Sequence, residues 1–248
     1  MLLSFFILII ITFFLIEINH YFRQDSPLVI KPKEFKKIIF DSKHKYVTRV
    51  EIKNLQKKME VMIPSFNVNP QLIGIDKNEI IKIQTTIKPL HPDAEEEQNN
   101  DYWTAYILKG KKSTFVEIEI EYEIKSTAID KIKCLWLDIE WGNYGPFGSF
   151  KRFDSFVLPN FLDISKANSS STNLVNPIKT HILGSLDDPI RVLESYMPLN
   201  CLPTDILTIG ESPLAVMQGR YIDYRNVKSN LISRLICKGF HPTSSLAT

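Results

Sequence analysis

Between Thr114 and Ile124 the chain alternates without a slip. Val116, Ile118, Ile120, Tyr122 and Ile124 are apolar, and Glu117, Glu119, Glu121 and Glu123 stand between them. Successive side chains of a strand point to opposite faces, so this stretch predicts a β-strand with one dry and one acidic face. A helix would scatter the glutamates around its circumference, so the pattern excludes one here. Shorter runs repeat the theme. Val47, Val50 and Ile52 form one, and Met59, Val61 and Ile63 alternate with Lys58, Glu60 and Met62. Ile80–Ile87 makes another, and Leu135, Leu137 and Ile139 continue it beside Trp136 and Trp141. Short strands with one wet face and polar turns predict an antiparallel, all-β sandwich-like domain over residues 46–160.

The N-terminal end has a different character. No charged residue occurs from Met1 to Ile16, and Phe, Leu and Ile dominate. With Ile18, Tyr21 and Phe22 the apolar run reaches almost to Arg23, about the 20 residues needed to span roughly 30 Å of hydrocarbon. The reading is an uncleaved single-pass transmembrane helix over residues 1–22, with the lipid bilayer as a partner. A secretory signal fits less well, because no cation precedes the run and no small-residue cleavage site follows it. Arg23, Lys31, Lys33, Lys36 and Lys37 all follow the run, which by the positive-inside rule places the C-terminal bulk in the cytoplasm. Residues 23–45, basic and interrupted by Pro27 and Pro32, read as a linker.

After a polar linker at 161–177, centred on Asn168–Asn173, the pattern changes again. Asp187-Asp188-Pro189 is a helix start: a carboxylate cap, then Pro at the first turn, where its missing N–H costs nothing. Ile190, Leu193 and Met197 follow at helical spacing. Pro203–Gly210 reads as turn then strand, and Val227–Cys237 as a helix. Residues 178–248 therefore predict a short α/β (α+β) part, which the resemblance given below implies is the incomplete start of a larger domain.

Several chemistries are excluded. A net charge of +2 does not call for nucleic acid. Cys134, Cys201 and Cys237 contain no CxxC pair, so neither a disulfide framework nor a structural zinc site is indicated. Gly110-Lys111-Lys112-Ser113 lacks the earlier Gly and the Ser/Thr placement of a phosphate loop and reads as a basic hairpin turn. Gly210-Glu211-Ser212-Pro213-Leu214 lacks the closing Gly of a nucleophile elbow. His91-Pro92-Asp93 with Glu95–Glu97 could hold a hard cation, but a solvated acidic loop is the simpler reading, and no metal ligands are assigned. Trp136, Trp141, Tyr144, Pro146 and Phe147 read as sandwich core and loop, with a ligand or partner surface as the alternative.

One resemblance goes further. Lys179-Thr180-His181, the Asp187-Asp188-Pro189 start, Thr204–Ile209, Glu211-Ser212 and Gln218-Gly219-Arg220 occur in the order of the opening of the gamma-glutamyl ligases of the deazaflavin coenzyme F-420. Tyr102–Tyr106, Asn143–Gly148 and His241–Thr248 resemble a membrane-anchored cyanobacterial branch of that family. The resemblance implies a ligase dependent on GTP and a divalent metal, Mg or Mn. Such an enzyme phosphorylates a carboxylate and lets the amino group of glutamate attack it. It implies Thr180, His181, Glu211, Ser212, Gln218, Gly219 and Arg220 as substrate- or nucleotide-binding residues, with no catalytic residue assigned. Arg220 is the foremost of these, a permanently charged fork suited to phosphate or carboxylate, with a structural pair to Asp205 or Asp223 as its alternative. Ser212 stands where the family carries Lys, and Gln218 where it carries an acid. The resemblance reaches only the first part of the ligase domain.

Two functional classes follow: a membrane-anchored gamma-glutamyl-ligase-like enzyme, in fragment or truncated form, or a non-catalytic membrane-tethered sandwich that binds or scaffolds. A piece of about 70 residues has a marginal core of its own, so it is expected to lean on the sandwich or on a second copy as a homo-oligomer.

Overall fold

The computed structural model describes residues 2–21, 26–40, 43–92, 103–159, 177–198, 201–227 and 233–235. Two antiparallel sheets pack face to face. The first orders its strands β1 (Leu28–Phe40), β2 (Lys43–Asn54), β7 (Ser113–Ile124) and β5 (Ile80–Leu90). The second is built on β8 (Cys134–Gly145). On one side of β8 lie β3 (Val61–Ile63) and β4 (Phe66–Ile73) in succession, with β6 (Tyr106–Leu108) beyond β3; on the other side lies β9 (Gly148–Pro159).

The alternation in β7 is the axis of the core. Its apolar set is buried while Glu117, Glu119 and Glu123 are half-covered by neighbours. Val50, Val116, Ile118 and Ile120 from the first sheet meet Leu135, Leu137, Ile139 and Trp141 from β8, all fully buried. The acidic face is paired, not merely solvated. Glu119 accepts from Lys45 and Lys88, each at 2.7 Å, and Arg49 approaches Glu117 at 3.7 Å. Burial alone would raise the Glu119 pKa, but the bonds from Lys45 and Lys88 hold it below the ordinary glutamate value.

Polar groups inside the sandwich are mostly tied. The Asn54 amide donates to the carbonyls of Met59 (2.7 Å) and Leu108 (3.1 Å), closing one end. At the other end His44 stacks on Tyr122, ring centroids 5.2 Å apart. Neither ring nitrogen of His44 has a hydrogen-bond partner. Burial, and then the charge of Lys37, lower its pKa.

Four expectations change. The segment assigned to a basic linker is in large part strand β1. Its period of two is hidden by lysines and broken by a bulge between Pro32 and Glu34, after which the inward-facing parity shifts. Gly110–Ser113 is a turn, but it carries the chain from one sheet to the other, since β6 pairs with β3 and β7 with β2 and β5. Lys111 takes a positive φ of 61° there, and a Cβ on Gly110 would lie 2.2 Å from the Lys57 carbonyl oxygen. The aromatic set also divides: Trp141 is core, whereas Trp136 and Tyr144 are exposed.

The fourth change concerns the N-terminus. Helix α1 (Leu2–Tyr21) forms, but its uncharged, mainly apolar part ends at Ile16, before Glu17, Asn19 and His20. At 1.5 Å per residue that part rises about 22 Å, short of the roughly 30 Å hydrocarbon layer. Among the described residues no helix is long and apolar enough to cross a membrane. The single-pass transmembrane helix in the expected fold is therefore corrected, and the membrane localisation and cytoplasmic orientation drawn from it fall with it.

Beyond the sandwich the expected α/β start is only partly realised. Helices α2 (Pro189–Tyr196) and α3 (Glu211–Met217) are present, with Asp188 capping α2 by accepting from Arg191 N–H at 3.0 Å. Thr204–Ile209 forms no strand. Of the expected helix Val227–Cys237, residues 233–235 are helical. The polar centre Asn168–Asn173, the acids Asp93–Glu97, and His241–Thr248 lie outside the described residues.

Candidate functional site

Residues 178–227 meet the sandwich along β9, the outer strand beside β8. In an antiparallel ladder, every second residue of an outer strand turns its N–H and C=O away from its neighbour. The side chain of Asn226 takes up both groups of Phe153, accepting from the N–H (2.9 Å) and donating to the C=O (2.5 Å). Two residues on, the Tyr221 hydroxyl donates to the Ser155 carbonyl (2.8 Å), and the Ser155 hydroxyl donates to Asp223 (3.2 Å). Arg225 forks between Asp138 on β8 and Asp223, with its guanidinium 4.3 Å from the centre of the Phe153 ring. Arg225 holds the Asp223 carboxyl below its ordinary pKa, and the two acids raise that of Arg225.

Beneath this strap Asp154 points inward, opposite Ile139, and accepts from the Trp141 indole N–H at 2.7 Å. Burial pushes its pKa up to about 6, against the pull of the Trp141 bond and of Arg152. Arg152 also turns inward, lies over the Trp141 ring and donates to the Leu28 carbonyl (2.6 Å).

A second feature is a groove of about 480 Å³ between α2 and residues 206–213. Its walls are largely aliphatic, with Val192, Leu193, Ile206 and Leu207 among them, and Thr180, Tyr196 and Thr208 supply the hydroxyls. Behind it His181 is buried in a closed network. Asp187 can only accept, so the His181 Nε2 proton points to its Oδ1 at 3.1 Å. Nδ1 lies 2.5 Å from the Tyr196 hydroxyl oxygen, which accepts from the His181 N–H at 2.9 Å. The second Asp187 oxygen accepts from Gly184 N–H at 2.7 Å.

The residues proposed from sequence divide accordingly. Thr180 lines the groove and donates to the His181 carbonyl (2.9 Å). His181 is committed to the Asp187–Tyr196 network. Glu211 and Ser212 are exposed at the start of α3, where an acidic side chain suits the helix dipole. Gln218, Gly219 and Arg220 are exposed at its other end, about 10 Å away along seven residues. There they form a helix stop: Gly219 takes φ 66°, its N–H bonds Val216 C=O (2.9 Å), and Arg220 N–H reaches back to Ala215 C=O (2.8 Å). The seven residues do not converge on one site. Tyr196, Tyr221, Arg225 and Asn226 organise this region and were not singled out from sequence, and Asp223, named there as a possible partner of Arg220, pairs with Arg225. The polar run Asp223–Asn226 was their only signal.

With the sandwich and its docked segment in view, comparison with known proteins decides the family. Residues 29–161, more than half of the chain, match the N-terminal Ig-like domain of F420-0:gamma-glutamyl ligase. The chain belongs to this family. The Ig-like ligase domain thus covers both sheets, from the start of β1 to the end of β9, and begins inside the segment first read as linker. The match does not speak to a membrane-anchored or cyanobacterial branch. No curated protein matches. Among solved structures, the GAE domain of GGA2p from Saccharomyces cerevisiae shares 13% identity over 56% of this chain and 95% of its own, with a TM-score of 0.32. A yeast GGA1 GAE domain shares 10% identity over 56% and 96%, also at 0.32. A protein from Archaeoglobus fulgidus shares 11% over 54% and 98%, at 0.25. At such values these likenesses carry no functional argument.

Proposed function

We propose that this chain serves gamma-glutamyl ligase chemistry, with the Ig-like sandwich as the platform on which the ligase-like segment 178–227 is seated. The family match over residues 29–161 carries this reading. The strap on β9 supports it, because side chains of the segment resembling the ligase opening are hydrogen-bonded to the main chain of the matched domain.

The proposed reaction couples the amino group of glutamate to a carboxylate activated by a phosphoryl group from GTP, with Mg or Mn. The described residues do not fit those cofactors. Among them no three His, Cys, Asp or Glu side chains lie together as a metal set, and no cation lines the groove to meet phosphate. No step is therefore derived through nucleotide or metal, and the contribution assigned to the described residues is seating and orientation. The alternative is a non-catalytic binding or scaffold protein. The aliphatic lining of the groove favours it.

The test incubates the whole protein with GTP, Mg or Mn, glutamate and F420-0, and follows GDP release and acceptor mass. Glutamate-dependent GDP release with a mass gain of one glutamyl unit supports ligase chemistry. No turnover and no rise in melting temperature with GTP and Mn would select the scaffold reading. Arg220→Ala tests the remaining candidate: unchanged turnover would leave Arg220 only its helix-ending role.

A further inference from the structure

We propose that the end of the sandwich where β2 meets β6 and β7 is a docking surface for a carboxylate-rich segment of another protein. Two turns meet there, residues 55–58 after β2 and residues 109–112 between β6 and β7. Their main chains are bonded directly. Lys111 N–H donates to the Gln56 carbonyl (2.8 Å), Asn54 N–H donates to the Lys112 carbonyl (3.0 Å), and Gly110 lies against the backbone of Lys57. Together the two turns carry Lys57, Lys58, Lys109, Lys111 and Lys112 and no Asp or Glu. All five lysines are exposed. Because the two backbones touch, these ammonium groups rise from one small area and add to one positive field. Other lysines of the sandwich are neutralised: Lys33 by Glu51, Lys45 and Lys88 by Glu119, Lys131 by Glu79 and Lys151 by Glu140. Among the described residues, none of the five takes part in an ion pair.

What the patch lacks selects the partner. Phosphate is held best by arginine forks or by a nest of main-chain N–H groups. Neither turn contains Arg, and the N–H groups of Lys111 and Lys112 are already spent on the carbonyls of Gln56 and Lys109 (3.2 Å). Neither turn carries an aromatic side chain on which a base could stack. What remains is five point charges on long stems. Leu55 within the first turn is 50% exposed, and Ile107, two residues before Lys109, is 52% exposed. Carboxylates spaced along a peptide, with an apolar residue among them, match that combination. Rim charges of this kind steer encounter and select the partner's sign more than they add affinity.

The inference does not depend on the ligase reading and is tested without activity. A short labelled poly-glutamate peptide is titrated with the whole chain by fluorescence anisotropy. Inorganic polyphosphate, duplex DNA and vesicles of anionic lipid serve as competitors. The vesicles belong in the set because the chain from α1 enters at this same end, where Leu55 N–H donates to the Pro27 carbonyl (3.1 Å). The expected result is peptide binding that weakens as salt is raised. Replacing Lys57, Lys109 and Lys112 together by Gln should weaken it by about threefold to a hundredfold, at about 0.2–1 kcal/mol per exposed pair. The same change at Lys77, Lys82 and Lys125, exposed at the opposite end of β5 and β7, should leave it unchanged. Equal losses in the two triple variants would overturn the proposal by showing that only net charge matters. Tighter binding of polyphosphate, DNA or vesicles than of the peptide would overturn the carboxylate assignment. A parent chain that binds no peptide also overturns it, and binding that appears only after Glu95, Glu96 and Glu97 are replaced by Gln would give the patch to the chain's own acids.

Discussion

The side-chain amide of Asn226 pairs with the main chain of Phe153 as a neighbouring strand would, accepting from its N–H and donating to its C=O. One residue thus covers both outward-facing groups of Phe153 and helps fix the following segment to the sandwich. Asn226→Ala leaves both Phe153 groups without their partner, at a cost of about 1–3 kcal/mol. The specific sign is faster hydrogen exchange at the Phe153 amide, with the β7 amides unchanged. Equal protection of Phe153 in the variant would show that the strap is held by Arg225 and Tyr221 alone.

Gly219 is expected to matter for the helix end and not for ligand binding. Its φ of 66° places a Cβ in the left-handed region, which costs about 1–2 kcal/mol for an ordinary L-residue and less for Asn. Nothing lies within 4 Å of that Cβ, so the cost is backbone strain without a clash. Gly219→Ala should lower the melting temperature and Gly219→Asn should lower it less. If both variants melt like the parent, the helix-stop assignment fails.

The sandwich was legible because β7 announces its two faces at every position and β2 and β8 repeat the pattern. β1 was not, because Pro32, the bulge and a lysine-rich composition erase the alternation on which such a reading depends. The candidate site was legible only as a motif order. His181 and Gln218-Gly219-Arg220 read as ligand contacts, yet one is consumed by Asp187 and Tyr196 and the other obeys the local rules of helix termination. Thr204–Ile209 has strand composition, but a strand also needs lateral neighbours, and composition does not report whether they are there. The pairing of Asn226 with Phe153 spans 73 positions and leaves no local trace.

His44 and His91 make the fold sensitive to mild acid. Burial lowers both pKa values, opposed at His91 by a backbone bond with Thr104. The unfolded chain, with His near 6.5, then binds more protons than the folded chain below that pH. Stability from these groups is complete above about pH 7 and falls as the pH drops through 6.5 towards the folded values. His44→Phe keeps the stack on Tyr122 but cannot charge, so its denaturation midpoint should change less between pH 7 and 5.5 than that of the parent. Parallel pH profiles would mean that His44 is not the group that titrates.

Asp154 works in the opposite direction. Its folded pKa of about 6 lies above the ordinary 3.8, so the folded state holds a proton that the unfolded chain gives up. Above about pH 6 the buried carboxylate is charged and costs stability, and the cost disappears as the pH falls from 6 towards 3.8. Asn in its place keeps an oxygen to accept from the Trp141 indole and carries no charge. Asp154→Asn should therefore be more stable than the parent at pH 7.5, by on the order of 2–3 kcal/mol if the full shift is recovered. The advantage should shrink as the pH is lowered towards 4. Loss of the attraction to Arg152 works against the gain, and Arg152 keeps its bond to the Leu28 carbonyl in either case. Urea titrations of both proteins at pH 7.5, 6 and 4.5 measure the difference directly. A variant less stable than the parent at pH 7.5 would mean that the pairing with Arg152 outweighs desolvation at this edge.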